Sequence, residues 1–230
     1  MNPPPPDTRE RILRTAAEAW HAQSYDGVGV AELCRRAQVH KGSFFHFFAS
    51  KEDLLLAVLD RHAHEIRSWL DAGPFCPDVP PLQRVARFFA GMAEQARQDI
   101  AATGAMRGCP IGNVSSELAT RIPAVRAATA RVFAVMEEVF AQTLREGVAV
   151  GELAPDLDPD ITARALLAYM QGLAVLGKAF ADVNRLDGLQ RGIAALLGVP
   201  AHALHPPATH AQTKDQRDRP PRATPPRGDD

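Results

Sequence analysis

Apolar positions along this chain recur at intervals of three and four residues, and no stretch shows the strict alternation of a half-buried strand. From about Thr8, the residues Ile12, Leu13, Ala16, Ala17 and Trp20 fall on one face of a helix. A short second stretch places Val30, Leu33, Cys34 and Ala37 on an inward face. Val39 follows in a tight turn, and another short helix starts near His40. Ser50, with Asp53 three residues on, forms a capping box that opens a helix through Leu54, Leu55, Val58, Ile66, Trp69 and Leu70. The segment GPFCPDVPP, residues 73–81, breaks it. Further helices are predicted through Leu82, Val85, Phe89 and Met92, and through Val125, Val132, Met136, Val139 and Phe140. Asp158 and Pro159 serve as N-cap and first-turn proline for a helix from Asp160 to about Ala181. A last short one uses Leu186, Leu189, Ile193 and Leu197. About nine helices and no sheet make an all-α protein.

The two ends lack this periodicity. Pro3 to Pro6 form a polyproline entry, and from about Pro206 the chain is rich in proline and charge with almost nothing to bury. The basic residues of this tail (Lys214, Arg217, Arg219, Arg222, Arg227) nearly balance its acidic ones (Asp215, Asp218, Asp229, Asp230), so it is read as a solvated tail rather than a DNA-binding arm. The pattern divides the chain into a disordered N-terminus (1–7), a first helical domain (8–68), a larger helical domain (69–200) and a disordered tail (201–230). Across 230 residues the net charge is −1, so any nucleic-acid contact comes from a local patch. No run of eighteen or more apolar residues argues for a membrane span, and the N-terminus lacks the apolar core of a secretory signal. Three cysteines, an odd number, make no disulfide framework and point to a reducing cytoplasm.

The most informative stretch is VGVAELCRRAQVHKGSFFHFFASKEDLL, residues 28–55. Small Cys34 and Ala37 let two short helices cross closely, as a helix-turn-helix requires, and the second helix then lays its first residues in the major groove. From Thr8 to about Asp60 the sequence resembles the DNA-binding domain of the tetracycline repressor (TetR/AcrR) family. Its core, V-x-K-G-S-F-x-x-F-F-x-S-K-E, is more specific than a generic helix-turn-helix. The resemblance implies an all-helical homodimer that binds a palindromic operator in double-stranded DNA and releases it when a small-molecule effector occupies the C-terminal domain.

Residue chemistry supports that reading. Lys41 and Lys51, each at the start of a helix, are placed to meet phosphates, and Gly42 lets the backbone approach DNA closely. Ser43 and His46 suit base edges or phosphates, and Phe44 suits a thymine methyl. Phe47 and Phe48 suit the domain core. The sequence departs from the family at three positions. Where the family usually has a tyrosine that reaches a phosphate stands Phe45, which removes a hydrogen bond worth on the order of 1 kcal/mol. The usual Ser or Thr caps of the two motif helices are Gly29 and His40. His40 is therefore a DNA contact in its own right, and Arg36 completes the candidate set. The alternative, a trihelical packing unit with no DNA role, does not explain Lys41, Gly42, Ser43 and Lys51.

Residues 160–181 are apolar on most of their circumference, with small Ala165, Ala168, Gly172, Ala174 and Gly177 permitting close crossings. With residues 186–197 they are expected to form the dimer interface as a four-helix bundle about a two-fold axis; a buried central helix of a monomer is the alternative. An effector pocket is expected among the middle helices. Trp69, Phe88, Phe89, Met92, Met106, Phe133, Met136 and Met170 are its candidates, suiting an apolar or weakly polar molecule. Pro110 suits the first turn of a helix, placing Cys109 at its N-cap, where the helix end and Arg107 favour a thiolate. Residues 108–113, GCPIGN, are similar to the G-C-x-[hydrophobic]-G-N segment of a family branch that includes repressors responding to electrophiles and reactive carbonyls. In some of those the matching cysteine is the sensor; here a structural cysteine between packing glycines is the other reading. Cys34 reads as buried filler, and Cys76 has no evident role.

No metal or cofactor is expected. His62 and His64 point to different sides of one helix, His202 and His205 border the tail, and no Cys/His cluster has ligand spacing. An enzyme is the main rival class. The chain has no phosphate-binding glycine loop, nucleophile elbow or HExxH motif, and Ser115, Ser116 and Glu117 have no recognisable histidine partner. An architectural DNA protein would carry more positive charge.

Overall fold

A computed structural model describes residues 7–204, except residue 187. These residues form nine α-helices and no strand: α1 (Thr8–Ala22), α2 (Val30–Ala37), α3 (Lys41–Phe47), α4 (Lys51–Ala72), α5 (Pro81–Thr103), α6 (Pro110–Leu118), α7 (Pro123–Ala149), α8 (Pro159–Phe180) and α9 (Leu189–Leu197). Proline and side-chain caps fix several of the starts. Pro81, Pro110, Pro123 and Pro159 each occupy the first turn, where the missing N–H costs nothing. The Ser50 hydroxyl accepts the Asp53 N–H at 3.0 Å, and the Asp158 carboxylate accepts the N–H groups of Asp160 and Ile161.

The α1 face differs from the expected one by a single position. Ala19 is buried and Ala17 is exposed, because α2, α3 and α4 meet α1 on the side shared with Ile12, Ala16 and Trp20. Residues 183–186 form a 3-10 turn, so the last α-helix begins at Leu189 rather than Leu186. The C-terminal boundary also moves. Residues 201–204 form another 3-10 turn whose Leu204 is fully buried in the main core, so ordered structure continues past the expected start of the tail. The disorder expected for residues 1–6 and 205–230 lies outside the described residues, as does His205.

Two large cores organise the described residues. One joins α4, α5, α7, α8 and α9 around Phe75, Phe88, Phe89 and Phe140, whose ring centroids lie 5.3–6.2 Å apart in mostly tilted and edge-on pairs. The other is the core of α1–α4 around Phe44, Leu54 and Leu55, and it does not stop at the expected boundary. Ile111, Val114 and Leu118 of α6 and Val125, Ala128 and Val132 of α7 belong to it. The boundary at 68/69 in fact falls inside the continuous helix α4. The N-terminal four helices and the C-terminal helices therefore share packing through α6 and α7. The break at residues 73–80 is held by Arg84, whose buried guanidinium donates to the carbonyls of Val79 (2.6 Å) and Pro77 (2.7 Å) and pairs with Glu146 (2.5 Å).

Candidate DNA interface and effector cavity

The helices α2 and α3 cross at the turn Gln38–Val39, with Gln38 in the left-handed region (φ 54°). Buried Leu33, Cys34 and Ala37 form the seam, as the small-residue pattern implied. Gly29 and His40 are the helix N-caps; Gly29 has no side chain to cap with, and the His40 side chain makes no capping bond. On the outer side of α3, His40, Lys41, Gly42, Phe45 and His46 are exposed and Ser43 is half-buried. Beyond its chain neighbours and the helix's own backbone, no heavy atom lies within 4 Å of where a Gly42 Cβ would stand, so the backbone there is open to a close approach.

Three expected DNA contacts need revision. Phe44 has no exposed surface: it sits at the centre of the α1–α4 core against Phe48 and cannot press on a thymine methyl. Lys51 is turned inward. Its Nζ donates to the Tyr25 carbonyl at 2.6 Å and stands 4.0 Å over the Tyr25 ring, and desolvation lowers its pKa, with Asp26 and Glu117 opposing. It braces the α1–α2 loop before it can meet a phosphate. Arg36 is bound to Glu32 at 2.6 Å on the exposed side of α2, so its charge is partly neutralised.

Between α1, α4, α5, α6, α7 and α8 lies a cavity of about 780 Å³. Of the expected effector contacts, Trp69, Met92, Cys109, Met136 and Met170 line it, with Phe88 and Met106 beside them. Phe89 and Phe133 do not. Phe89 points into the aromatic core beside Phe140 and Tyr169, and Phe133 packs where the two cores meet. Trp69 stands at the rim, 59% exposed.

The wall also carries polar groups that no local sequence signal marks. His21 and His62 enter it from α1 and α4, the two long helices of the DNA-binding half. His21 Nε2 lies 2.8 Å from the Gly108 carbonyl, which can only accept, so this nitrogen carries the proton. Burial lowers the pKa of both histidines. Asp99 is paired with Arg107 at 2.9 Å. Burial alone would raise its pKa, but hydrogen bonds from Arg107 and Gln95 outweigh burial and hold it below the ordinary value. Arg107 is thus committed to Asp99, which corrects the expectation that it serves the Cys109 thiol.

The two half-buried histidines make stability pH-dependent. An imidazole whose folded pKa lies below the unfolded value near 6.5 binds more protons when unfolded, so its stabilising contribution is complete above that pH and shrinks as pH falls below it. Thermal melts are expected to show a lower midpoint at pH 5.5 than at 7.5, with a shallower dependence in His62→Leu. An unchanged pH slope in that variant would remove His62 from the account.

Cys109 is the N-cap of α6, half-buried; its Sγ accepts from the Gly112 N–H (3.4 Å) and Gln171 Nε2 (3.5 Å). The flanking residues are explained by packing. Gly108 has φ 75°, and a Cβ there would stand 2.8 Å from Lys178 Cδ; one at Gly112 would collide with Gln171. Asn113 donates to the Arg107 carbonyl and accepts from Lys178, both at 2.9 Å. At its other end α6 reaches the helix-turn-helix. Glu117 accepts the backbone N–H groups of Tyr25 (3.0 Å) and Asp26 (2.9 Å), and Arg121 pairs with Asp26 (2.9 Å). No local signal marks this clamp, since its partners are about ninety residues apart.

Among the described residues no group of three or more His, Cys, Asp or Glu side chains could hold a metal ion, and no helix is long and apolar enough to cross a membrane. An exposed helix-turn-helix joined through shared helices to an apolar cavity defines the class of one-component transcriptional regulators. Comparison with known proteins agrees. Residues 12–58 match the family "Bacterial regulatory proteins, tetR family", and residues 81–193 match "Tetracyclin repressor-like, C-terminal domain". The transcriptional regulator AcuR of Cereibacter sphaeroides is 34% identical over 169 residues, 74% of this chain and 75% of that protein. A regulatory protein TetR from Rhodobacter sphaeroides has a crystal structure similar at a TM-score of 0.72 and 30% identity, covering 82% of this chain and 98% of that one. The reduced form of E. coli NemR superposes with the same TM-score at 25% identity, covering 84% and 97%. The chain belongs to the TetR family of transcriptional regulators.

Proposed function

We propose that this regulator is a homodimeric, cytoplasmic repressor that holds a palindromic operator through α3 and is released when a small apolar molecule occupies the cavity. The observation that carries this reading is the double attachment of α6. Gly108 to Ile111 line the cavity, while Glu117, two turns on, clamps the α1–α2 loop of the helix-turn-helix. A ligand that displaces the start of α6 therefore loads the DNA-binding half directly. The ligand's character follows from the wall: mostly apolar, with Asp99 already paired with Arg107, and with Glu65, Arg87 and the two histidines as its other polar groups, which suits an apolar or weakly polar molecule.

A mobility-shift assay on the DNA upstream of its own gene tests this. The wild type is expected to shift one discrete complex at modest salt. Lys41→Ala should weaken every sequence alike, and Ser43→Ala should change base preference. No shift at modest salt would overturn the reading.

A second reading is favoured by the Cys109 geometry. Cys109 lines the cavity, and its sulfur receives two N–H donors that hold it in place there. In this reading the thiolate adds to the activated carbon of an electrophile, forming a C–S bond while the electrophile's neighbouring carbon takes up a proton. N-ethylmaleimide is expected to release DNA from the wild type and not from Cys109→Ser; equal release from both would eliminate the thiol switch.

A further inference from the structure

We infer that Phe45 reads sequence: its ring packs on the C5 methyl of a thymine in each operator half-site. The inference rests on the DNA-binding reading above and assigns to Phe45 the role that burial denies to Phe44. Among the described residues 8–60, Phe45 is the large apolar side chain left substantially exposed, at 53%. Its neighbours in the FFHFF run are accounted for otherwise, with Phe44 and Phe48 in the core and Phe47 half-buried against it. The exposed ring is not loose. It meets Phe44 edge-on with centroids 5.1 Å apart, so a buried side chain sets its direction.

The chemistry around it narrows what can cover it. Exposed Lys41 lies one turn before it and exposed His46 directly after it, and Gly42 beside Lys41 leaves the backbone open. This surface suits a polyanion approaching closely. Phenylalanine has no donor for a phosphate, so its ring is useful only against an apolar group. In the major groove the thymine methyl is the apolar group that base edges present. A ring held there distinguishes T·A from the other pairs by contact area rather than by a hydrogen bond.

The test removes that methyl and nothing else. The operator is delimited by footprinting on the DNA upstream of the gene, and each symmetric pair of thymines is replaced in turn by deoxyuridine. At one pair, wild-type binding is expected to weaken about fourfold per half-site, the worth of one buried methyl. Phe45→Ala is expected to bind the parent operator more weakly and to lose sensitivity to that replacement, with a thermal melt confirming its fold. If no deoxyuridine position affects the wild type, or if the sensitive position stays as sensitive in Phe45→Ala, the assignment to Phe45 is overturned while the DNA reading stands. The wild-type series does not depend on how the variant folds. A wild-type chain that binds no operator overturns both.

Discussion

Replacing Leu176 by glutamate is expected to yield a folded monomer whose operator affinity is lower by about a hundredfold or more, because each half-site must then be bound alone. The argument starts from what α8 leaves uncovered. Thr162, Ala163, Leu166, Met170 and Ala174 face inward, while Ile161, Val175, Leu176 and Phe180 are 49–63% exposed, with Leu196 of α9 exposed beside them. Ala168 and Gly172 on the same outer side are small enough for a second helix to approach closely. An apolar face of this extent on two adjacent helices is what a two-fold bundle buries, and a charge at its centre would have no partner across the axis. Leu176 touches solvent in the single chain, so the glutamate should cost the monomer fold little. Light scattering and a mobility shift on the same preparation check both halves of the expectation. A dimeric Leu176→Glu chain with wild-type DNA binding would place the interface elsewhere.

The fold was legible because its punctuation is local. Prolines at 110 and 159 and the caps Ser50 and Asp158 mark helix starts within a residue or two, and spacing assigns most inward faces. Periodicity fails where a helix is too short to show a period. With seven residues, α3 could not tell Phe44 from Phe45, and the choice falls to contacts with α1 that only the fold supplies. Lys51 shows a related limit: its place at a helix start suits a phosphate, but the Tyr25 carbonyl, 26 residues away in sequence, also lies within its reach. Five of the seven expected effector residues do line the cavity, since methionines on inward faces of α5, α7 and α8 converge there. The polar part of that wall was illegible. His21 and His62 sit on helices whose sequence speaks of DNA binding, and only the shared core brings α1 and α4 against α6.

That shared core makes the clamp at Glu117 the place where the two halves can be uncoupled. Its carboxylate satisfies two backbone N–H groups of the α1–α2 loop, one of them partly buried, and hydrogen bonds to a charged group are typically worth about 1.5–3 kcal/mol each when protected from water. Here exposure of the Asp26 bond discounts the sum, so Glu117→Ala is expected to cost about 2 kcal/mol in urea unfolding followed by Trp20, with Trp69→Phe as background to leave one reporter. The larger consequence is for communication. Coupling between two sites is reciprocal, so if cavity occupancy alters DNA binding, operator binding must alter the cavity. Alkylation of Cys109 by N-ethylmaleimide reports the cavity end of α6 whether or not the thiol has a sensing role. In the wild type its rate is expected to change when operator is added. In Glu117→Ala the rates with and without operator should converge, provided operator is added well above the variant's own dissociation constant. Persistence of the full DNA-dependent difference in that variant would show that the signal bypasses Glu117 and runs through the continuous helix α4 instead.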